Sequence, residues 1–225
     1  MASVKLSEVK DFDELNRLVG YEISVPIDEF YEPMKLSKKQ KWKRQETARK
    51  IEDMLIDLFA ILFLFQRYGT GSYEEQVEIA RERYITIVEQ NTDAELTPYM
   101  ASHAEFLFAD MLEKTFRHSD EAFYYSADRA RAIAENDSNS IWNNTEYEGA
   151  LTGINPATGR SYRNKTWNTI IDGKERDSHA AMNGVTIPIN AVFHLAGGDC
   201  YYPRDDSLGM SDEEICGCRC SLTFS

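Results

Sequence analysis

Four cysteines and four histidines are the residues of this 225-residue chain best suited to hold a metal or attack a substrate. Cys216, Cys218 and Cys220 share one short segment, and His179, His194 and Cys200 lie upstream of it. Zinc takes four soft or borderline donors at tetrahedral corners, about 2.0–2.3 Å from the ion. Along a strand, residues 218 and 220 face the same side, and a histidine from another segment would add a third donor. The candidate ligand set is therefore His179, Cys200, Cys218 and Cys220. No Cys-x-x-Cys pair is present, so plain buried thiols are the competing reading. Reactive thiols or a disulfide stay open, although cysteines two apart on one strand are poorly placed to bridge each other.

A thiolate–imidazole pair is the other chemistry these residues could do. Cys200 with His179 or His194, oriented by Asp199 or Asp177, would suit nucleophilic catalysis. The spacing does not demand it. The chain lacks a Gly-x-Ser-x-Gly elbow, a His-Glu-x-x-His helix, a phosphate-binding glycine loop and a dinucleotide fingerprint. No catalytic residue is assigned. Asp199, Asp205, Asp206, Asp212, Glu213 and Glu214 lack the alternation of a calcium-binding loop and read as a solvated acidic loop.

A basic segment over 35–50 stands against an acidic background. The chain has 38 acids and 25 bases, a formal net charge of −13, which repels nucleic acid except at a local basic patch. Lys38, Lys39, Lys41, Lys43 and Arg44 are candidates to touch DNA phosphates or an acidic partner protein, without sequence specificity. A solvated helical face is the plainer alternative.

The elements that must position these residues divide at about residue 136. Ser37 and Gln40 have capping-box spacing and introduce a helical pattern to about Tyr68, with Met54, Leu55, Leu58, Ile61, Leu62 and Phe65 on one face. Gly69-Thr70-Gly71 stops it. A second pattern carries Val77, Ala80, Tyr84, Ile87 and Val88. Thr97-Pro98 offers an N-cap with proline at the first helical position, leading to Met100, Ala104, Leu107, Phe108 and Met111. A fourth, Ala-rich helix is expected over about 119–135. Residues 136–165 turn rich in Asn, Ser, Thr and Gly, and short strands are expected at Thr166–Ile171, Gly184–Pro188 and Arg219–Phe224. The expected fold is α+β: a helical bundle over 1–135, then a small loop-rich α+β domain over 136–225. The N-terminal stretch lacks the apolar core of a secretory signal, and the longest apolar run, Leu58 to Phe65, is too short for a bilayer. The expectation is synthesis in a reducing cytosol.

The second half resembles the phage Mu F-like family of head morphogenesis, or minor head, proteins. The resemblance starts at Arg129-Ala-Arg-Ala-Ile-Ala-Glu135 and continues through Lys165-Thr-Trp167. It then runs through Asp172-Gly-Lys-Glu-Arg176-Asp-Ser-His179, the D-x-x-x-R-x-x-H pattern, and Asn183-Gly184-Val-Thr-Ile-Pro-Ile. Phe193, Tyr202-Pro203-Arg204-Asp205 and Cys218-Arg219-Cys220 complete it. Two departures are Arg204, where the family has glycine, and Cys216-Gly217 before Cys-Arg-Cys. The resemblance implies a minor capsid protein of a tailed phage, found in the virion head and, during assembly, in the host cytoplasm. Its implied partners are the portal and the major capsid or scaffolding protein, with DNA contact through 35–50 and no membrane. It also implies a polar cluster of Asp172, Arg176, His179 and Arg219 that pins a loop against Cys-Arg-Cys, with zinc as the cofactor to consider. From other classes, a Cys/His-dependent enzyme or toxin-like transferase, or a zinc-binding adaptor, are the alternatives.

Overall fold

The fold is α+β, and among the described residues the strands lie in the C-terminal third. The structure is a computed structural model that describes residues 4–92 and 98–225. In chain order its helices are α1 (Phe12–Val19), α2 (Ile27–Tyr31), α3 (Lys38–Tyr68), α4 (Tyr73–Thr92), α5 (Pro98–Arg117) and α6 (Ala127–Thr152). There follow β1 (Ile154–Asn155), β2 (Arg160–Ser161), β3 (Asn164–Asn168), α7 (Asp177–Met182) and β4 (Thr186–Pro188). The chain ends with β5 (Phe193–Leu195), β6 (Gly198–Cys200), α8 (Asp212–Ile215) and β7 (Ser221–Phe224). Among the described residues no helix is long and apolar enough to cross a membrane.

Two compact units are formed, one from residues 1–27 and 46–135, the other from 28–45 and 136–225. The first is helical. Ile51, Met54, Leu55, Leu58, Phe59, Leu62 and Phe63 of α3 are buried with Ala80, Tyr84 and Val88 of α4 and Ala104, Phe108 and Met111 of α5. These are the positions that a 3.6-residue period selects. The expected N-cap at Thr97 lies outside the described residues.

Arg129 is buried in this unit and, among the described residues, its hydrogen bonds go to a hydroxyl and two carbonyls. It donates to Thr115 Oγ1 (2.6 Å), the Tyr124 carbonyl (2.6 Å) and the Met111 carbonyl (3.0 Å), and stacks over Phe59 and Tyr124. Burial lowers its pKa to about 10. Asp128 gathers the extended segment before α2, accepting from the amides of Glu22, Ile23 and Ser24 at 2.9–3.0 Å.

In the second unit, β3 is the centre of an antiparallel sheet of order β4-β3-β7. The three expected strands are thus the three of this sheet. Trp167 of β3 and Leu222 of β7 are partners in register, both buried. The capping box is formed as expected, with the Ser37 amide donating to Gln40 Oε1 (3.0 Å) and the Gln40 amide to Ser37 Oγ (3.3 Å).

One expectation is corrected. The Asn-rich stretch after residue 136 is not a loop: α6 continues to Thr152. Asparagine is a weak helix former because its amide competes for backbone groups. Here those amides are used elsewhere. Asn139 Nδ2 donates to the carbonyls of Cys218 (3.2 Å) and Cys220 (3.3 Å). Asn143 Nδ2 donates to the carbonyls of Pro203 (3.2 Å) and Cys220 (3.1 Å). Asn144 Nδ2 donates to Tyr202 Oη (2.8 Å). Tertiary bonds override the local preference.

Candidate metal centre

His179 sits on the short helix α7, and Cys218 and Cys220 on the segment leading into β7. All three are buried, and their donor atoms lie within 4.8 Å of one another. Local geometry explains the convergence. Gly217, in the left-handed region at φ 69°, turns the chain between Cys216 and Cys218, and its amide is held by Asn136 Oδ1 at 3.0 Å. On the other side, Thr169 Oγ1 donates to the His179 carbonyl (2.6 Å) and accepts from Trp167 Nε1 (3.1 Å). Trp167 meets the His179 ring edge-on, with centroids 5.8 Å apart.

His179 Nδ1 is 3.4 Å from Cys220 Sγ. Two donors bound to one zinc at tetrahedral angles, at the usual Zn–N and Zn–S lengths, are separated by about 3.6 Å. The His179–Cys220 spacing is thus close to that of two ligands of one ion. The other ring nitrogen, Nε2, lies 2.8 Å from Glu214 Oε2, off the line of a well-aligned hydrogen bond. Glu214 also accepts from Ser178 Oγ at 2.8 Å. A carboxylate behind the imidazole is the usual arrangement around metal-ligating histidine. The donor set, two thiols and one imidazole, suits a borderline-soft ion, and the cluster could hold a metal ion.

Electrostatics act in the same sense. The hydrogen bond from Cys220 and the neighbouring His179 hold the Cys218 thiol well below its usual range despite burial. Cys220 is correspondingly pushed up, by its bond to Cys218 and by burial. Burial alone would lower His179, yet Cys218 and Glu214 raise it overall.

Cys200, the fourth candidate ligand, does not join the group. It is buried at the end of β6, and burial, together with the Asp205 charge, pushes its thiol up. Cys216 is exposed, and His194 stands on the surface hairpin β5–β6, 2.7 Å from Asp199. Among the described residues, His194 is bonded to Asp199, and the group around His179 comprises Cys218 and Cys220 rather than Cys200.

The polar cluster forms around the same place. Arg219 grips Asp172 with two hydrogen bonds, Nη1 to Oδ2 at 2.8 Å and Nη2 to Oδ1 at 2.7 Å, and this contact holds the Asp172 carboxyl below its usual range. Arg176 donates to the Cys216 carbonyl. Asp172 thus pairs with Arg219 rather than with Arg176.

Of the basic segment, Lys38 and Lys39 are exposed. Lys41 bonds the Glu32 carbonyl, and Lys43 lies over the Trp142 ring at 4.5 Å. Arg44 is corrected: it is fully buried and bound to Glu146, Asn139 and Asn143, so it offers nothing to a phosphate. The acidic loop is also corrected in part. Asp205 is buried and accepts from the amides of Tyr201 (2.7 Å) and Ser207 (3.0 Å), and Glu214 is buried beside His179.

Sequence reasoning missed Lys165. Its side chain is fully buried, with Nζ 4.5 Å from the Tyr147 ring centroid and 5.3 Å from those of Phe193 and Tyr201. Burial lowers it to about 8, while the ring faces favour the ammonium. A lysine in a Lys-Thr-Trp strand carries no signal of this, because the rings come from three other segments.

No protein-family model, no curated protein and no solved structure matches the chain.

Proposed function

We propose that this chain is a minor head protein of a tailed phage, whose second unit is an interaction module fastened by zinc at His179, Cys218 and Cys220. The observation that supports the reading is convergence. The D-x-x-x-R-x-x-H segment and the Cys-Arg-Cys segment are remote in sequence, yet Asp172 meets Arg219 and His179 meets Cys220. A further support is Arg204. It adopts φ 72°, a left-handed conformation that glycine takes without strain, at the position where the resembled family has glycine.

Zinc, when bound, supplies a cross-link between α7 and the segment before β7. In a small unit such a link contributes on the order of 10 kcal/mol to folding. Of the five candidate contact residues, the exposed Lys38 and Lys39 are the ones best placed to meet portal, capsid or packaged DNA.

Elemental analysis of protein purified under reducing conditions, with thermal melts before and after chelation, tests the metal. About one zinc per chain and a large loss of stability are expected; no metal and an unchanged melt would overturn it. Co-sedimentation with a tailed-phage portal protein tests the assembly role. Binding lost on Lys38→Ala together with Lys39→Ala would assign the contact to these two exposed lysines; binding that survives would place it elsewhere on the chain.

A second reading rests on the Cys218–His179–Glu214 chain, which has the nucleophile, base and orienter order of a thiol enzyme. A Cys218→Ser variant that folds normally but loses a measurable turnover would favour it.

A further inference from the structure

We infer that the ion bound by His179, Cys218 and Cys220 keeps a fourth position open to water or a small anion. This deepens the zinc reading above and rests on it. Two facts meet here: three protein donors converge, and all three line one cavity.

Among the described residues, no fourth Cys, His, Asp or Glu donor lies within 4.8 Å of all three ligand atoms. Cys200 is held away on β6, and Glu214 stands behind the imidazole, on the side of Nε2. A zinc with three protein ligands completes its tetrahedron with an exogenous donor, whereas a closed structural site has four protein ligands.

The space for that donor is present. His179, Cys218 and Cys220 border a cavity of about 20 Å³, together with three basic residues, Lys174, Arg176 and Arg219, and one acid, Glu175, whose carboxylate accepts from the amides of Asp172 and Gly173. That is room for about one water-sized group. The charges suit an anion. Two thiolates neutralise a divalent ion, leaving the fourth donor to face the ammonium and guanidinium groups of the rim.

The full chain loaded with cobalt(II) or zinc provides the test. X-ray absorption should report two sulfurs, one nitrogen and one further light atom around zinc. Azide added to the cobalt form should shift its visible spectrum in a saturable way. Cys200→Ser and Cys216→Ser should each bind zinc within about twofold of the parent, by competition with a chromophoric chelator. Cys200→Ala serves if the serine fails to fold.

Three sulfurs around the metal, a spectrum indifferent to azide, or a tenfold loss of affinity in either variant would overturn the open position while leaving the zinc reading standing. Failure of the parent protein to take up any metal would overturn both.

Discussion

Arg44 and Glu146, 102 residues apart, meet fork to fork: Nη1 to Oε1 and Nη2 to Oε2, each at 2.9 Å. The guanidinium is fully buried, and Asn139 accepts from Nε and Asn143 from Nη2. A buried charge that loses its partners is costly, while an apolar replacement of both partners is often neutral. Arg44→Ala is expected to destabilise by about 3–5 kcal/mol in urea unfolding. Lys38→Ala and Lys39→Ala, both on the surface, should leave the midpoint unchanged. An Arg44→Ala midpoint equal to theirs would return the residue to the solvated face.

Asp172 and Arg219 make the same bidentate contact in a more exposed setting, with side-chain exposures of 33% and 18%. Solvent screens such a pair, so a double-mutant cycle of Asp172→Ala and Arg219→Ala should give a coupling of about 1 kcal/mol or less. A coupling several times larger would mean that the loop over 172–176 is held by this contact alone.

Glu214 should tune the metal without binding it. Carboxylates behind ligating histidines typically change metal affinity by about 10–100-fold. Glu214→Gln is expected to weaken zinc by that factor in chelator competition, at unchanged stoichiometry. Loss of a whole equivalent would make Glu214 a ligand.

Glu135 gives the pH dependence a sign. Burial and the neighbouring charges of Glu52 and Asp128 push it up to about 8, against the pull of Arg131. A carboxyl that keeps its proton longer when folded contributes stability that is full below its unfolded pKa, near 4.5, and is lost as pH rises towards 8. The parent should therefore be more stable at pH 5 than at pH 8, and Glu135→Gln should flatten that slope. Lys165, lowered to about 8, acts above this window. Its folded form releases the proton first, so stability should rise from about pH 8 to 10.5.

Arg204 combines two opposed effects. Its left-handed backbone costs about 1 kcal/mol relative to glycine, while Nη1 donates to Asn136 Oδ1 (2.7 Å) and the Ile215 carbonyl (2.8 Å). Two charge-assisted bonds outweigh that strain. Arg204→Gly is expected to lower the melting temperature by a few degrees, and a rise would show that strain dominates.

The architecture was legible where period and residue type agreed. Residues 166–168, 186–188 and 221–224 lie in both the expected and the observed strands, and Met54, Leu55, Leu58 and Leu62 of the expected α3 face are buried, whereas Ile61 and Phe65 are half-buried and Ile51, Phe59 and Phe63 join the core. The helix over 136–152 was hidden, because Asn139, Asn143 and Asn144 are satisfied by carbonyl and hydroxyl groups far along the chain. Composition likewise could not separate Arg44 from the lysines around it, since only Glu146 and two asparagines distinguish a buried fork from a solvated charge. At the site, His179, Cys218 and Cys220 could be named from residue type, but Glu214 looked like one acid in a run. Only the turn of α8 brings it behind the imidazole.

The asparagines of α6 have a consequence for how this unit tolerates change. Asn139 and Asn143 read main-chain carbonyls of the Cys218–Cys220 segment and of Pro203, not side chains. Docking addressed to the backbone is blind to what each loop residue displays outwards. Single substitutions in these loops therefore leave these particular bonds in place, while Cys218, Arg219, Cys220 and Arg204 are fixed by side-chain contacts of their own.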